Sequence, residues 1–328
     1  MPSPPRWKVV LAFAAVYLIW GSTYLAIRFA VETLPPFLLA GVRFLSAGAI
    51  MLAIARSRAA PWPTWRQWRS TLVVGALLLM GGNGGVTWAE QFVPSGLVAL
   101  LIASVPVWMV LMDWLRPGGV RPSAQVFVGL ALGLVGLVLL IGPGTVVGGG
   151  SIDPLGAAVV LLAAFSWAAG SIYSRGADSP PSPFMATAMQ MLNGGALLII
   201  LGVVSGEVAR FQPEAVSTRS VLSLLYLIFF GAIVGYTAYI WLLRVTTAAR
   251  ASTYAYVNPV VAVFLGWALA DEPLTARILI AAAIIVGAVM IINTYRVRRR
   301  SPSAQEPSDE AARQPAVDPA DGLSEAAD

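Results

Sequence analysis

The chain has 328 residues, of which 58% are hydrophobic and 11% charged, with no cysteine and no histidine. An ordinary soluble domain carries about 25% charged residues, so the composition excludes a soluble enzyme. It also excludes disulfides, thiolate nucleophiles, Cys/His zinc sites, haem and histidine acid/base chemistry.

Nine charge-free windows of 18 to 31 residues follow one another, and a tenth, 33–55, is interrupted only by Arg43. About 18–20 apolar residues suffice to cross a bilayer. Apolar runs in lipid must be helices or closed barrels, and these are too long and continuous for barrel strands. The pattern predicts an all-α integral membrane protein with ten transmembrane helices at roughly 9–30, 36–55, 70–89, 94–114, 123–142, 155–174, 184–205, 220–243, 250–270 and 277–295. The first run, about 20 residues, is longer than the core of a signal peptide and is read as a span.

In span one, Tyr17, Gly21, Tyr24 and Arg28 share a face at i, i+4, i+7 and i+11, with Trp20 beside it. Span two carries Arg43 about 11 Å below its outer end, at 1.5 Å per residue, where an Arg must be paired or hydrated. In span three Asn83, Thr87 and Glu90 form one polar face among glycines 81, 82, 84 and 85. That stripe serves either close helix packing or a site. Glu90 is the only carboxylate bordered on both sides by long apolar runs. It is a candidate proton-coupling group, or else a structural partner of Arg43 or Arg28 in an outer polar network.

Pro106 in span four and Pro259 in span nine each free a carbonyl four residues back, Ile102 and Ala255, and are expected to bend their helices. Broken helices at matching positions of two halves point to a midplane site. Asp113 and Arg116, three apart, read as a pair at the inner end of span four, and Asp271 and Glu272 mark the outer end of span nine. Further candidates for a site lining are Trp108, Trp167, Ser171, Gln190, Tyr236, Tyr239, Tyr254 and Asn258, with Trp88 and Trp241 as additional aromatics. An aromatic wall suits a flat or cationic solute; the same rings serve equally as interface anchors or core filler.

Fifteen basic residues fall at one set of span ends and three at the other. The bias puts both termini in the cytoplasm, which requires an even number of spans. The net charge of +5 is no nucleic-acid signal, because the bases sit at membrane edges. Residues 297–328 are read as a disordered cytoplasmic tail, since 301–328 hold seven acidic residues, four prolines and no aromatic.

The two halves repeat. A shift of 147 brings Trp20 onto Trp167, Arg28 onto Arg175 and Pro36-Phe37 onto Pro183-Phe184; a shift of 153 brings Trp88 onto Trp241, Pro106-Val107 onto Pro259-Val260 and Trp114 onto Trp267. Residues 7–147 and 152–296 are thus two five-helix units. Five is odd, so the second enters from the opposite side, which is the inverted repeat of many transporters.

The motifs Ile19-Trp20-Gly21-Ser22-Thr23-Tyr24, Ala40-Gly41-Val42-Arg43-Phe44, Gly82-Asn83-Gly84, Val93-Pro94-Ser95-Gly96, Ser166-Trp167-Ala168 and Ser252-Thr253-Tyr254-Ala255-Tyr256-Val257-Asn258-Pro259 resemble the EamA type of the drug/metabolite transporter superfamily, in particular its YedA-like bacterial exporters. The resemblance implies two inverted five-helix repeats around a central cavity, lined mainly by spans 1–4 and 6–9. It also implies export of small metabolites or drugs across the bacterial inner membrane.

The expected function is secondary transport by alternating access, with amino-acid-like, aromatic or cationic amphiphiles as solutes and proton coupling as a candidate energy source. There is no GxxxxGK[ST] loop to bind ATP. The expected partners are a small-molecule solute and the lipid bilayer; no cofactor, metal or nucleic acid is expected, and the chain is a monomer or a dimer. An intramembrane protease lacks its histidine or paired aspartates. An organic-phosphate or nucleotide-sugar exchanger is the alternative within transporters, disfavoured because Arg28 and Arg43 are the only basic residues inside spans. A membrane-embedded binding module is the alternative outside them.

Overall fold

The computed structural model describes residues 4–93, 98, 101–119, 121–141, 153–270 and 275–294, and among these residues helices and turns are the only elements. The expected tail at 297–328, the turn at 94–96, the glycine-rich stretch at 142–150 and the pair Asp271 and Glu272 lie outside the described residues.

In chain order the principal helices are α1 (Arg6–Val31), α2 (Pro36–Ser57), α3 (Trp65–Ala89), α4 (Val105–Leu115), α5 (Ala124–Ile141), α6 (Pro154–Gly176), α7 (Pro183–Val204), α8 (Thr218–Val245), α9 (Tyr254–Ala270) and α10 (Ala276–Thr294). Among the described residues, six of them (α1, α2, α3, α6, α7 and α8) are long and apolar enough to cross a membrane, and α4, α5 and α10 are shorter apolar helices. Their surfaces carry exposed large apolar side chains, among them Leu18, Leu25, Phe127, Leu162, Ile200 and Phe229. Water would not tolerate such a coat, whereas lipid tails do.

The helix starts follow from local chemistry. Thr64 and Gln67 form a reciprocal capping box at α3. Asp153, Ser182 and Ser217 accept from the first backbone N–H groups of α6, α7 and α8. Prolines open α2, α6 and α7, where a missing N–H costs nothing.

Pro106 behaves differently from the expected mid-helix kink. The chain turns at 103–104 and α4 starts anew at Val105, so Pro106 sits in a first turn. Its ring clashes with nothing there, which is why the break precedes it. Pro259 does lie inside a helix, α9, but the turn before that helix is at 252–253, between a short helix Ala248–Ala251 and Tyr254. The two breaks therefore fall at different distances from their prolines.

Two stretches that the sequence pattern does not announce are π-helical: Gly75–Gly84 within α3 and Leu227–Tyr236 within α8, ten residues each. Such turns are rare and favour functional sites.

Packing between the two sequence repeats is reciprocal. On the α2/α7 contact a Cβ at Gly48 would lie 3.0 Å from the backbone N of Leu192, and one at Gly195 would lie 2.8 Å from the backbone N of Leu45. The shift of 147 exchanges these two contacts. Glycine is what allows the backbones so close. The helices α5 and α10 pack together in the same manner, through Gly129 on Ile292 and Gly136 on Ile285.

Candidate functional site

A cavity of about 80 Å³ lies among the helices, several times the roughly 10–15 Å³ that admits one water. From α1 it takes Trp20, Thr23, Tyr24 and Ile27; from α2, Arg43 and Phe44; from α3, Gly82, Asn83 and Val86. Ile102 and Val105 contribute from the region of the α4 start, Ala163 and Trp167 from α6, Gly231 and Tyr236 from α8, and Tyr254 and Asn258 from α9.

The aromatic wall is a connected cluster. Trp20 meets Trp167, Tyr239 and Tyr254 at ring-centroid distances of 5.5, 5.1 and 5.0 Å. Trp167 meets Tyr239 at 5.5 Å, and Tyr239 meets Tyr254 at 5.3 Å. Edge-on and tilted contacts of this kind are favourable beyond their buried area. Each tryptophan sits against a π-helical glycine of the other repeat: a Cβ at Gly235 would come within 2.5 Å of Trp20 Nε1, and one at Gly82 within 2.8 Å of Trp167 Cε3. Trp20 Nε1 donates to the Gly231 carbonyl at 3.0 Å.

The polar groups divide into two kinds. Asn258 is internally satisfied, its amide donating to the carbonyls of Tyr17 at 3.3 Å and Tyr254 at 3.1 Å. Its neighbour Gly21 lets α9 approach α1, since a Cβ there would stand 3.1 Å from the Asn258 carbonyl. Arg43, only 4% exposed, has a buried Nε without a hydrogen-bond partner. Its guanidinium lies 4.8 Å from the Phe44 ring centroid, and its Nη2 points at Gly231, where a Cβ would be 2.8 Å away. Asn83 Oδ1 is likewise buried and unpartnered.

Of the sequence-predicted site residues, the cavity thus brings together Trp20, Tyr24, Arg43, Asn83, Trp167, Tyr236, Tyr254 and Asn258. Thr87, Trp108, Ser171, Gln190 and Tyr239 lie outside its lining. Thr87 Oγ1 donates back to the Asn83 carbonyl at 2.9 Å. Trp108 packs edge-on against Phe165 of α6. Ser171 and Tyr239 are 2.7 Å apart, Trp167 Nε1 donates to the Tyr239 hydroxyl at 3.1 Å, and the Tyr236 hydroxyl donates to Gln190 Oε1 at 3.0 Å. Trp88 packs near Phe92 rather than lining the cavity.

Two expectations are corrected. Arg28 is exposed near the end of α1 and reaches no site. Its neighbours Ile27 and Ala30 are buried in the core, so at this depth Arg28 turns away from the packed side of α1, as a long basic side chain near a helix end does. The expected Arg43–Glu90 network is absent: among the described residues no ion pair joins them, and both Glu90 oxygens are buried without a hydrogen-bond partner. Arg43 is turned instead toward Phe44 and α8. Asp113 and Arg116 do pair, at 2.8 Å.

Thr23, Phe44 and Gly231 were missed by sequence reasoning. The spacing of Gly231 and Gly235, four apart on one helix face, was the available signal of a close approach.

The EamA-like transporter family matches residues 7–142 and 154–294. The inner membrane transporter YedA of Escherichia coli (strain K12) is 40% identical over 282 residues, 86% of this chain and 89% of that protein. The transporter YvbV of Bacillus subtilis (strain 168) is 26% identical over 90% of this chain and 94% of its own. A protein of Escherichia coli (strain K12) named "Probable amino-acid metabolite efflux pump" is 27% identical over 89% of this chain and 96% of its own. A crystal structure of another protein shares the fold with a TM-score of 0.71 at 22% identity, covering 88% of this chain and 96% of that one. With the family pattern present in each repeat and a 40% identical relative along most of its length, the chain belongs to the EamA-like transporter family.

Proposed function

We propose that the protein is a secondary transporter of the bacterial inner membrane that exports small solutes by alternating access. In this reading ten spans form two inverted five-helix repeats, 7–147 and 152–296, with both termini in the cytoplasm. The observation that carries it is the cavity, lined by helices of both repeats and finished with aromatic rings and unpartnered polar groups. A cavity so built is a solute chamber rather than a packing defect, because packing defects are apolar.

The reciprocal contacts support the inverted repeat. Gly48 with Leu192 and Gly195 with Leu45 exchange under the sequence shift, as do Trp20 with Gly235 and Trp167 with Gly82. A twofold relation makes residue i meet j while the equivalent of j meets the equivalent of i. The names of the relatives favour inner-membrane export, one of them naming amino-acid metabolites.

Glu90 is the proposed proton-coupling group. Its buried carboxylate has no partner, and it lies within electrostatic reach of Tyr24 on the chamber wall. The solutes expected are amino-acid-like or aromatic compounds and cationic amphiphiles. A dianionic phosphate is disfavoured, since Arg43 is the one basic side chain among the lining residues.

The test is counterflow in proteoliposomes loaded with unlabelled amino acids or aromatic amines. Labelled solute is expected to accumulate chemically unchanged. Glu90→Gln is expected to keep counterflow while losing the response to an imposed proton gradient. Absence of counterflow across the whole solute panel would sink the transport reading. A Glu90→Gln variant that still responds to the gradient would sink the coupling role alone.

A further inference from the structure

A guanidinium has five donors and no acceptor, and it stays charged in a protein. Burying one without a counter-ion is expensive, so a lone buried arginine must meet an anion or water. Arg43 is 4% exposed, forms no ion pair among the described residues, and leaves Nε without a partner. Its guanidinium lies 4.8 Å from the Phe44 ring centroid, a contact that supplies no counter-ion.

The scaffold does not require this charge. The position equated with it by the shift of 147 is Gln190, which accepts from Tyr236 and carries no charge. The protein also makes room for the guanidinium. A Cβ at Gly231 would stand 2.8 Å from Nη2, so only glycine leaves the head its place. Asn83, on the same chamber, adds an acceptor oxygen that lacks a donor. The chamber therefore presents the Arg43 cation and the empty Asn83 acceptor, with the rings of Trp20, Trp167 and Tyr254 between the helices.

We propose that Arg43 receives the carboxylate of the solute, so that the chamber takes α-amino acids with apolar or aromatic side chains and rejects quaternary cations. The α-carboxylate would meet the guanidinium, the α-ammonium would donate to Asn83 Oδ1, and the side chain would lie against the aromatic wall. The proposal rests on the transport reading for its biological sense and narrows its solute range. It rests on the chamber alone for its chemistry.

The experiment is equilibrium binding to the purified full-length protein in detergent, read by quenching of tryptophan fluorescence and by thermal shift. The probes are L-phenylalanine, L-phenylalaninamide, in which a neutral carboxamide replaces the carboxylate, and tetraphenylphosphonium. Expected is binding of the acid at least about tenfold tighter than the amide, the loss of a partner for a buried charge being large, and no measurable competition by the phosphonium. Arg43→Gln should weaken the acid and abolish the preference, and Arg43→Lys should retain part of it.

Gly231→Ala, which crowds the guanidinium without altering its charge, should reduce the preference if Arg43→Gln fails to fold. The wild-type comparison of acid with amide needs no variant at all. Equal binding of acid and amide, a preference that survives Arg43→Gln, tight binding of the phosphonium, or no binding of the acid each overturns the proposal. Acid-selective binding without counterflow in liposomes would instead overturn transport and leave the carboxylate site standing.

Discussion

Two clusters occupy positions that the sequence repeat equates, one on the chamber wall and one largely behind it, and they are finished in opposite ways. Tyr24, Arg43, Asn83 and Val86 correspond under the shifts of 147 and 153 to Ser171, Gln190, Tyr236 and Tyr239. In the second set the polar tips satisfy one another: Ser171 with Tyr239, Tyr239 with Trp167, and Tyr236 with Gln190. Arg175 extends that network by donating to the carbonyls of Leu243 and Thr246, both at 2.8 Å, which ties α6 to the C-terminal end of α8. In the first set Arg43 Nε and Asn83 Oδ1 have no partner, and Val86 stands where the other end has a tyrosine. One scaffold thus carries a latched end, whose polar groups hold helices together, and a receptive end, whose polar groups find no partner among the described residues.

The largest expected effect tests whether the two ends share one scaffold. Gly82→Val and Gly235→Val each drive a side chain into the tryptophan of the other repeat. Each is predicted to cost about 1–3 kcal/mol, the usual range for overpacking, measured as loss of the thermal transition and of the monodisperse peak in detergent. If one substitution is silent, the two glycine notches are not equivalent.

Next in size is Tyr239→Phe. It removes the hydroxyl shared by Trp167 and Ser171, leaving a buried indole N–H without its acceptor. The predicted loss is about 1–2 kcal/mol. Because the chain has no native cysteine, a thiol introduced by Ser174→Cys can report on this end directly, Ser174 being buried and donating to the Ser171 carbonyl at 2.8 Å. Its labelling by a membrane-permeant maleimide should accelerate in the Tyr239→Phe background. Unchanged labelling would mean that the hydroxyl network is not what keeps the end shut.

The smallest stability effects are expected at the receptive end. Tyr24→Phe and Asn83→Ala remove no hydrogen bond made by those side chains to the protein, and each should change the unfolding free energy by less than about 0.5 kcal/mol. Asn83→Ala should nonetheless weaken solute binding measurably. A large loss of stability at either position would erase the contrast between the ends.

Much of this arrangement was legible in the sequence. Charge-free windows located the helices because lipid forbids unpaired backbone groups as well as unpaired charges. The i, i+4, i+7 spacing put Tyr24 and Asn83 on inward faces, with Trp20 beside that of Tyr24. Exposure near the helix end was less legible: Arg28 shares the predicted face of Tyr24, yet it is exposed while Ile27 and Ala30 beside it are buried. Partners were less legible still. Ser171, Gln190 and Tyr239 carry the same residue types as a solute site, and only the distances reveal that they bond to one another. The break in span four, expected at Pro106, lies at 103–104 because a proline marks both a kink and a first turn. The π-helical stretches had no signature beyond local glycine density.

Those stretches have a consequence for how the chamber can rearrange. A helix bonded at i+5 holds more residues per turn than one bonded at i+4. Rewinding one such turn into the tighter form would rotate the C-terminal remainder of its helix by about 100°, one residue's angular step, while conserving the number of backbone bonds. Asn83 and Tyr236 stand at the ends of the two underwound stretches. Two equated side chains of the chamber wall are thus mounted where such a rewinding would act as a swivel.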